Sequence, residues 1–431
     1  MKKLFIILFL TTLGFSSCKK DVSRAITVPT VDEQARDYLY DAMNEYYFWY
    51  NLMPVVVKTD YKDPYELLDA MEYKTLDRWS FVQTYAEYQA QNQGSFVGHG
   101  ISLGLDQDSK VRIAQIYKNS PLYSNGVRRG WIVKNLNGTD LAPIFIARDN
   151  AAYSQVIGPS TAGVTNTFLF QIPDGRDSTI TSTKTSFTLN TVIAYDTLHL
   201  KSGITGHLVF DQFIPPSNQE LATAFAFFQQ NSITDLIVDL RYNGGGDLSV
   251  LTNMASYLAG EAKFNTTFLK ITFNDKNTIY NTPYNFNPIA YPLNLTKVVF
   301  ICTRGTASAS EDLINGLKPD LTVTCIGDTT NGKPVGMIGI PYKTDYMFWP
   351  ISFAVVNSAD QGDFYKGFAP DKYVPDDITH DWSDRNELCL SEAIYFLEHG
   401  NFTSKGIYGY QRSIQFSEKP EKNNNAYIIK K

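Results

Sequence analysis

The stretch TRGTASASEDLINGLK, residues 303–318, places six small residues between an apolar run and a segment with helical spacing. The run KVVFICT that leads into it predicts a buried strand, and the residues after Glu311 predict a helix. Ser308 and Glu311 have the Ser-x-x-Glu spacing of a capping box, in which two side chains satisfy unpaired N–H groups at a helix start. Taken alone, the stretch is therefore explained as the end of a strand, a turn of small residues and a capped helix.

A second bare loop occurs earlier in the chain. Three glycines, Gly244 to Gly246, follow the buried-strand pattern DLIVDL and open another helical pattern. Glycines let a backbone approach a ligand closely, with N–H groups pointing outward at a helix start. A phosphate cradle is the first alternative, but no Gly-Lys-Ser/Thr follows and Asp247 would repel an anion. The pair of loops therefore needs another explanation.

Composition and charge limit the class of protein. The chain has 431 residues, of which 43% are apolar and 19% charged, with 27 Tyr and 27 Phe. These values indicate a folded globular protein long enough for about three domains. The formal charge of −6 argues against a nucleic-acid partner, and the sequence has no basic stripe and no zinc-type Cys/His spacing. We expect no cofactor and no metal.

The N-terminus has the pattern of an export signal. Residues 1–17 contain two lysines, an apolar stretch from Leu4 to Leu13 and small residues before Cys18. The apolar stretch is shorter than the ~20 residues of a membrane span, which favours a secretory signal peptide. The letters FSSC that end at Cys18 resemble a bacterial lipobox, which implies cleavage before Cys18 and lipidation of its thiol. An ordinary signal peptide with an incidental cysteine is the alternative.

Changes of pattern along the mature chain predict a multidomain α+β protein. After a lipidated linker at residues 18–30, residues 31–94 carry apolar and aromatic residues at helical spacing, which predicts a helical domain. Residues 95–190 show short β-runs separated by turns. Residues 191–400 alternate strand and helix patterns, which predicts a layered α/β domain. Residues 401–431 are expected to form a loosely ordered tail.

The β-rich region, residues 95–190, resembles a PDZ domain. The matching pieces are Ser120-Pro121 before a short helix, Asn125-Gly126-Val127 after it, and Asn137-Gly138 in the turn after a strand. In that family a loop before the second strand holds the terminal carboxylate of a peptide with backbone N–H groups, and the peptide adds as a β-strand. A small β-domain without a peptide groove is the alternative.

The PDZ resemblance implies where a peptide would bind. The carboxylate-binding loop falls on Gly100, Ile101, Ser102 and Leu103. Ser102 stands where glycine is common in that family, and Trp131 stands where aspartate is common. The fold is therefore better supported than any particular ligand preference.

The order of the catalytic-type motifs resembles the C-terminal processing, or tail-specific, protease family. These serine peptidases combine a helical N-terminal part, a PDZ domain and an α/β core. The family's glycine-rich Asp-Leu-Arg segment matches residues 239–246, and its Ser-Ala-Ser-Ala-Ser-Glu segment matches residues 306–311. Its Gly-Lys segment matches Gly332-Lys333, and the spacing of 25 positions from Ser308 to Lys333 agrees with that of the family.

The resemblance implies a layered catalytic domain of the ClpP/crotonase-like kind and a Ser/Lys dyad. Ser308 would be the nucleophile and Lys333 the general base. A serine that attacks a peptide carbonyl must stand clear at a sharp strand-to-helix turn, which explains the small residues around it. The N–H of Ala309, with one from Gly245 or Gly246, would form the oxyanion hole.

Two departures from the family pattern keep alternatives open. Met337 stands where members usually carry glutamine, and Pro334 biases Lys333 toward extended geometry. A catalytically weak pseudoprotease would bind peptide C-termini through the PDZ-like domain without cleaving them. A Ser-His hydrolase would use His207, near the start of a core strand, as its base, although no Gly-x-Ser-x-Gly elbow occurs.

The expected partners are proteins or peptides bound by their C-termini, together with a membrane reached through the lipid on Cys18. The segment KKDVS after the lipobox cysteine lacks the acidic run associated with surface export in some bacterial lipoproteins. We therefore expect a protein anchored in the cell envelope, at the outer membrane and facing the periplasm.

Overall fold

The computed structural model describes residues 28–404 and 415–417, which form three structural parts in chain order. The predicted signal peptide, the lipidation site Cys18 and much of the predicted tail lie outside these residues. Among the helices within the described ranges, none is both long and apolar enough to cross a membrane.

The first part contains three helices and one strand: α1 (Val31–Tyr46), α2 (Pro64–Met71), β1 (Phe81–Thr84) and α3 (Tyr85–Asn92). The helices start where the sequence provides caps. Capping boxes open α1 and α3, and Asp63 caps α2 ahead of a proline in its first turn. Two short 3-10 helices, Tyr50–Leu52 and Lys58–Asp60, connect α1 to α2.

The strand β1 corrects the prediction that residues 31–94 are purely helical. It pairs antiparallel with a strand of the third part, with Phe81 opposite Trp349. Phe81 and Val82 are buried. A four-residue strand forms here because a distant segment supplies its partner, which local spacing does not reveal.

The second part contains seven strands and three short helices: β2 (Ser95–Gly98), β3 (Ile101–Leu105), β4 (Val111–Ile116), α4 (Pro121–Ser124), β5 (Ile132–Leu136), α5 (Ala142–Ala147), α6 (Asn150–Ile157), β6 (Thr165–Gln171), β7 (Asp177–Thr183) and β8 (Thr185–Thr188). An antiparallel sheet runs in the order β3-β4-β5-β6-β7, and β2 pairs with β8. Its core includes Leu103, Ile113 and Phe168. The sequence pattern does not predict α5 and α6, because six and eight residues are too short to display a helical period.

The third part contains the elements from β9 to α10: β9 (Val192–Leu200), β10 (Gly203–Phe210), α7 (Ser217–Gln230), β11 (Asp235–Asp239), α8 (Leu248–Ala259), β12 (Thr267–Phe273), β13 (Thr282–Asn285), β14 (Lys297–Cys302), α9 (Ala309–Leu317), β15 (Thr322–Gly327), β16 (Val335–Met337), β17 (Ile340–Tyr342), β18 (Tyr346–Trp349), β19 (Ile351–Asn357), β20 (Lys372–Tyr373) and α10 (Leu388–His399). A last strand, β21 (Gln415–Ser417), follows it in the chain. Two further 3-10 helices, Glu261–Lys263 and Thr278–Tyr280, lie in the loops of the third part.

A six-stranded sheet in the order β20-β15-β14-β11-β10-β9 forms the centre of this part. Neighbouring strands are parallel except for β9 and β10, which are antiparallel. On one face, Val238 and Phe300 pack in the same core as Leu313 of α9. On the other face, Ile237 packs with Leu390 of α10. The sheet is therefore covered by helices on both sides, as the alternating strand and helix patterns predict.

Two smaller sheets extend the central one. One has the order β13-β12-β19-β16, and the other joins β1 to β18 and β17. The second sheet therefore links the first part of the chain to the third. The large core includes Leu39 and Met43 of α1 together with Phe348 and Trp349 of β18.

The edge of the second part is extended by a segment from the end of the chain. Strand β21 pairs antiparallel with β3, so that residue 416 lies opposite Leu103 and residue 417 opposite Ser102. These residues of β3 belong to the loop and strand for which the PDZ resemblance implies peptide binding. The edge of β3 is thus paired with the chain's own residues 415–417.

Candidate active site

Three loops meet at one edge of the central sheet. The glycine loop follows β11, the loop of Ser308 follows β14, and the loop of Lys333 follows β15. These three strands are adjacent and parallel, so their carboxyl ends lie at the same edge. Binding sites in open α/β sheets form at this edge because the loops there converge. The topology therefore brings together motifs that are separated by about 90 residues of sequence.

Ser308 occupies the turn between β14 and α9. Its backbone has φ 59° and ψ −121°, a conformation that side chains with a Cβ rarely adopt. Its Oγ is buried and has no hydrogen-bond partner among the described residues. Backbone strain of the kind seen at Ser308 persists only where the surrounding structure imposes it, and it is common at catalytic turns. The expected helix cap by this hydroxyl is not made, which leaves Oγ available for chemistry.

The glycine loop lies directly against the Ser308 turn. A Cβ added at Gly245 would lie 2.8 Å from the Cβ of Ser308 and 2.9 Å from the backbone nitrogen of Ala309. Both contacts are too short for any residue with a side chain. Gly245 has φ 100° and Gly246 has φ 142°, which also favours glycine at both positions.

Hydrogen bonds distinguish the two candidate oxyanion donors in the glycine loop. The N–H of Gly245 donates to Oδ1 of Asn243 at 2.9 Å, so it is already used. Phe213 donates its N–H to the carbonyl of Gly245 and accepts the N–H of Asp247, which makes a parallel bridge between Phe213 and Gly246. The N–H of Gly246 takes no part in this bridge. Gly246 is therefore the better of the two partners for Ala309.

Asn243 holds the glycine loop and the serine loop in register, and the sequence motifs did not identify it. Its carbonyl oxygen accepts the N–H of Ala307 at 3.0 Å and the hydroxyl of Ser310 at 3.0 Å. Its side chain donates to the carbonyl of Phe210 at 3.0 Å. The residue is buried, so each of these bonds is shielded from water. The asparagine of the segment RYNGGG is the sequence feature that could have identified this role.

Glu311 connects the serine loop to the lysine loop. Its Oε2 accepts the N–H of Ser308 at 3.0 Å and the N–H of Lys333 at 2.8 Å. Its Oε1 accepts the N–H of Gly332 at 2.7 Å and the hydroxyl of Thr330 at 2.5 Å. Four donors thus surround one buried carboxylate. The sequence identified Glu311 only as a capping residue, yet three of its donors belong to a different loop.

Lys333 is fully buried, and burial lowers the pKa of its amine to about 7. Desolvation is the main cause, since it disfavours the charged ammonium. The carboxylates of Asp77, Asp312 and Glu311 oppose this shift because they favour the charged form. A base with a pKa near neutral is half deprotonated at pH 7, which an exposed lysine is not.

Asp312 is a buried carboxyl that the sequence motifs did not single out. It lies one turn along α9 from Ser308, whose carbonyl accepts its N–H at 2.8 Å. Neither carboxyl oxygen has a hydrogen-bond partner among the described residues. Burial, followed by the charge of Glu311, raises its pKa well above the ordinary value, and Lys333 opposes that rise.

The first part of the chain closes over the lysine loop. The indole N–H of Trp79 donates to Oδ1 of Asn331 at 3.3 Å, and Arg78 donates to the carbonyl of Asn331 at 3.0 Å. Asp77 lies close enough to affect the pKa of Lys333, and it accepts a hydrogen bond from the hydroxyl of Tyr47 at 2.8 Å. The N-terminal part therefore contributes to the environment of the lysine.

A buried ion-pair network centred on Arg241 supports the chain that leads into the glycine loop. Arg241 donates to Asp239 at 2.8 and 3.0 Å, to Asp376 at 2.9 Å and to Glu387 at 2.9 and 3.2 Å. Its guanidinium also lies 5.3 Å from the ring centroid of Trp382. All of these acidic partners have almost fully buried side chains. The network fixes the chain between β11 and the glycines.

The alternative base, His207, lies on the other face of the sheet. Its side chain is on the same face of the sheet as that of Val209, whereas the side chains of Leu208 and Phe210 point into the core that contains α9. Burial lowers the pKa of its imidazole. The charge of Arg241 adds to this fall, and the charges of Asp239, Glu387 and Asp196 oppose it. This placement does not bring His207 to Ser308, which argues against the Ser-His hydrolase.

The remaining candidate residues lie in other elements of the fold. Met337 is fully buried in β16, opposite Ile351, where it packs in the large core. Gly100 has φ 69° and packs tightly against Ser120 and Phe187 at the start of β3. The four residues from Gly100 to Leu103 therefore belong to the second part of the chain.

Family models match two regions of the chain. The model described as Peptidase family S41 matches residues 204–374, which contain the three loops of the site. The model described as Peptidase S41 N-terminal domain matches residues 34–81.

Curated relatives of the chain are processing proteases. The chain is 24% identical to carboxy-terminal processing protease CtpB of Bacillus subtilis over 262 residues, which cover 60% of this chain and 51% of that protein. It is 24% identical to a carboxyl-terminal-processing protease of Synechocystis over 351 residues, or 79% and 78% of the two chains. The chain spans little more than half the length of the first relatives it matches.

The fold is also similar to a solved structure. A crystal structure described as an S41 protease from Bacteroides fragilis superposes with a TM-score of 0.70 at 21% sequence identity. The superposition covers 84% of this chain and 97% of that one. The likeness supports a shared multidomain α+β architecture.

Proposed function

Because the chain belongs to peptidase family S41, we propose that it is a serine endopeptidase that cleaves peptide bonds with Ser308 and Lys333 as its catalytic dyad. The observation that carries the proposal is the buried amine of Lys333, with a pKa of about 7, in a loop that Glu311 ties to the Ser308 turn. Homologues named as carboxyl-terminal processing proteases suggest that substrates are cut near their C-termini.

The proposed reaction follows from these positions. The neutral amine of Lys333 accepts the proton of Ser308 as Oγ attacks the scissile carbonyl carbon. The N–H groups of Ala309 and Gly246 stabilise the oxyanion of the tetrahedral intermediate, and loss of such a donor costs about 10²–10³ in rate. When the C–N bond breaks, the ammonium of Lys333 gives its proton to the leaving amine.

A second half-reaction releases the acyl group. Lys333, neutral again, accepts a proton from a water molecule that attacks the ester carbonyl of the acyl-enzyme. Collapse of that intermediate returns the proton to Oγ of Ser308 and frees the product as a carboxylic acid, which ionises by releasing its proton to water. No step requires a metal ion or a cofactor.

Access to the nucleophile is a requirement of this proposal. Ser308 and Lys333 have no solvent-exposed surface in the structure. A peptide therefore reaches Oγ only when the surrounding loops separate. Exclusion of water keeps the lysine neutral and strengthens the oxyanion interactions.

We assign peptide capture to the second part of the chain, as a PDZ-like domain. Its strand β3 offers an edge on which an extended peptide adds as a strand, and residues 415–417 already pair there. A substrate tail would take the same place, with its carboxylate at the loop of Gly100. This part would then select C-terminal sequences, while the dyad performs the cleavage.

The central experiment is cleavage of unstructured peptides by the mature chain and by Ser308→Ala. We expect cleavage by the mature chain and its loss in Ser308→Ala. Ser391→Ala is the matched control, because Ser391 lies on the exposed face of α10 and should behave as the unchanged chain does. Equal cleavage by Ser308→Ala would overturn the assignment of the nucleophile.

The complete burial of Ser308 favours one alternative, a pseudoprotease that binds peptides without cutting them. A fluorophosphonate probe separates the two functions, since only an activated serine reacts. Labelling of Ser308 that disappears in Lys333→Ala supports the peptidase. Peptide binding without labelling or cleavage supports the pseudoprotease.

The proposed location is the cell envelope, with a lipid on Cys18 and the protein facing the periplasm. The support is the signal-peptide and lipobox pattern of residues 1–18. Cys18→Ala should move the protein from the membrane fraction to the soluble fraction. Unchanged fractionation would contradict the anchor.

A further inference from the structure

Exposed apolar side chains are concentrated in the first part of the chain. Among the described residues, twelve large apolar or tyrosine side chains are exposed, and seven of them lie between residues 28 and 65: Val28, Val31, Tyr38, Leu52, Val55, Val57 and Tyr65. Single exposed apolar residues are ordinary at a protein surface, whereas a group of them marks a contact with a partner or a membrane. The first part of the chain is therefore where such a contact is to be sought.

The most exposed aliphatic side chains within the first part belong to one loop. The apolar loop, residues 51–57, runs from the 3-10 helix Tyr50–Leu52 to the 3-10 helix Lys58–Asp60. Its sequence is NLMPVVV, in which six of the seven residues are apolar and none is ionisable. Val55 is fully exposed, Val57 is 62% exposed and Leu52 is 49% exposed. Contact of this much apolar surface with water is unfavourable, so the loop is suited to apolar surroundings.

Packing fixes which side chains of the apolar loop face outward. Met53 and Val56 are partly buried and pack against the large core. These two contacts anchor the loop on the folded chain. Leu52, Val55 and Val57 remain on the outside, where they contribute little to the stability of the core. Their exposure is therefore a property of the folded loop that the packing of the core does not explain.

The end of the apolar loop lies beside the N-terminal half of α1. Lys58, the residue after the loop, pairs with Asp37 of α1 at 3.6 Å. Asp37 is six residues from Val31, the first residue of α1, which is about 9 Å along the helix axis. Ten positions of sequence separate Cys18 from Val28, and ten residues span at most about 35 Å. A lipid on Cys18 would therefore keep this part of the chain near the membrane.

Charge contributes little to this surface. The chain has a formal charge of −6, and the apolar loop has no charged side chain. The two lysines that follow the loop are already paired, Lys58 with Asp37 at 3.6 Å and Lys62 with Glu66 at 2.6 Å. Contact between the loop and a membrane would therefore depend on apolar area, which salt and headgroup charge change little.

We propose that the apolar loop inserts Leu52, Val55 and Val57 into the surface of the membrane to which the chain is tethered through Cys18. The inference rests on the proposed envelope location and adds a second membrane contact, made by the folded chain itself. Three side chains of this size bury too little area to hold a protein at a membrane alone. A tether raises their effective concentration at the surface, so that weak insertion becomes populated.

The test places a fluorophore on the loop of a tethered chain. The mature chain, residues 19–431, carries an N-terminal hexahistidine tag in place of the lipid and binds phosphatidylcholine vesicles that contain a nickel-chelating lipid. Val55→Cys is labelled with the environment-sensitive dye NBD, since the three other cysteines of this chain are buried. We expect vesicles to raise the NBD emission at least about twofold and a spin-labelled lipid to quench it. Ile146→Cys is the control, because Ile146 is exposed on α5 of the second part, and its label should show neither change.

Two double variants, each with the label at Leu52→Cys, decide whether apolar contact causes the insertion. Val55→Asp with Val57→Asp adds two carboxylates that would lose water on entering the membrane, which is costly, so the rise in emission should disappear. Val55→Leu with Val57→Leu should keep it. Both positions are exposed, so neither double variant should change the melting temperature. An equal rise in the aspartate variant would overturn the proposal, and so would a rise that requires anionic lipid and is lost at high salt.

The outcomes separate this proposal from the anchor and from other partners. The tag replaces the lipid, so the result does not depend on whether Cys18 is modified. Without a tether the chain should stay in solution, and release of Cys18→Ala therefore tests the anchor alone. Equal responses of the labels at residues 55 and 146 would overturn the insertion. A label at residue 55 that responds to protein concentration but not to vesicles would assign the loop to a contact between two copies and would also overturn it.

Discussion

The carboxylate of Glu311 accepts the backbone N–H of Lys333 at 2.8 Å, and the same Oε2 atom accepts the N–H of Ser308 at 3.0 Å. One buried side chain thus fixes the turn that carries the proposed nucleophile, Ser308, relative to the loop that carries the amine of Lys333. A carboxylate has only acceptors to offer, so it suits a position surrounded by four donors.

Replacement of Glu311 by glutamine should disrupt both loops. One oxygen becomes an NH₂ group that faces N–H or O–H donors, and buried donors left without partners cost ~1–3 kcal/mol each. We expect a lower melting temperature and at least a tenfold lower kcat. Glu261→Gln is the control, since Glu261 is exposed. Normal activity of Glu311→Gln would show that this carboxylate does not position the dyad.

The pH dependence of cleavage should report the titration of Lys333. Only the neutral amine accepts the proton of Ser308, and its pKa is about 7, so kcat/KM should rise about tenfold per pH unit below pH 7 and level off above it. Lys333→Ala should be inactive, and so should Lys333→Arg, because arginine stays charged. A rise centred near pH 10, or an active Lys333→Arg, would contradict this assignment.

We expect Asp312 to lower the stability of the fold and to raise the pKa of Lys333. Its carboxyl oxygens are buried without partners among the described residues, so Asp312→Leu should raise stability by ~1–3 kcal/mol in chemical denaturation. The carboxyl favours the charged form of Lys333, so its removal should shift the rise in activity to lower pH. A destabilised variant with an unshifted profile would count against both statements.

Arg241 should be essential for stability. Arg241→Met leaves Asp239, Asp376 and Glu387 buried without their shared cation, and breaking a buried ion pair in this way costs ~3–5 kcal/mol. Urea denaturation should show this loss. Arg176→Met serves as the control, because Arg176 pairs with Asp174 on an exposed surface. A cost below 1 kcal/mol for Arg241→Met would contradict the role of the network.

A chain that ends at Ser404 should expose the edge of β3. Residues 415–417 pair with this edge, and an added peptide needs the same backbone groups. We expect a labelled peptide with a free, apolar C-terminus to bind the shortened chain more tightly than the full chain. Its amidated twin should bind both chains less well. Equal affinities of the free-acid peptide for the two chains would show that residues 415–417 do not compete with it.

Much of the site was recognisable from local sequence. The small residues around Ser308, the three glycines and the Gly-Lys pair appear in the order and spacing of a known peptidase family. The patterns DLIVDL and KVVFICT predicted the strands β11 and β14 that carry the first two loops. These signals are readable because strand periodicity, helix caps and glycine turns depend on neighbours within a few residues.

Other features came only from the tertiary structure. Strand β1 exists because β18, more than 250 residues away in the chain, pairs with it. Residues from the first part of the chain enter the surroundings of Lys333, since the charge of Asp77 opposes the fall in the pKa of its amine and Trp79 donates to Asn331 of the same loop. No spacing around Gly332-Lys333 encodes these contacts.

The sequence by itself determined the order of the three loops of the proposed site and the identity of the candidates for nucleophile and base. The tertiary structure decided that His207 faces the opposite side of the sheet, that Glu311 joins two loops, and that the N–H of Gly245 donates to Asn243. The reason is physical. Local conformation follows from short-range sterics and hydrogen bonds, whereas burial, proton affinity and hydrogen-bond partnership depend on which distant segments the sheet topology brings into contact.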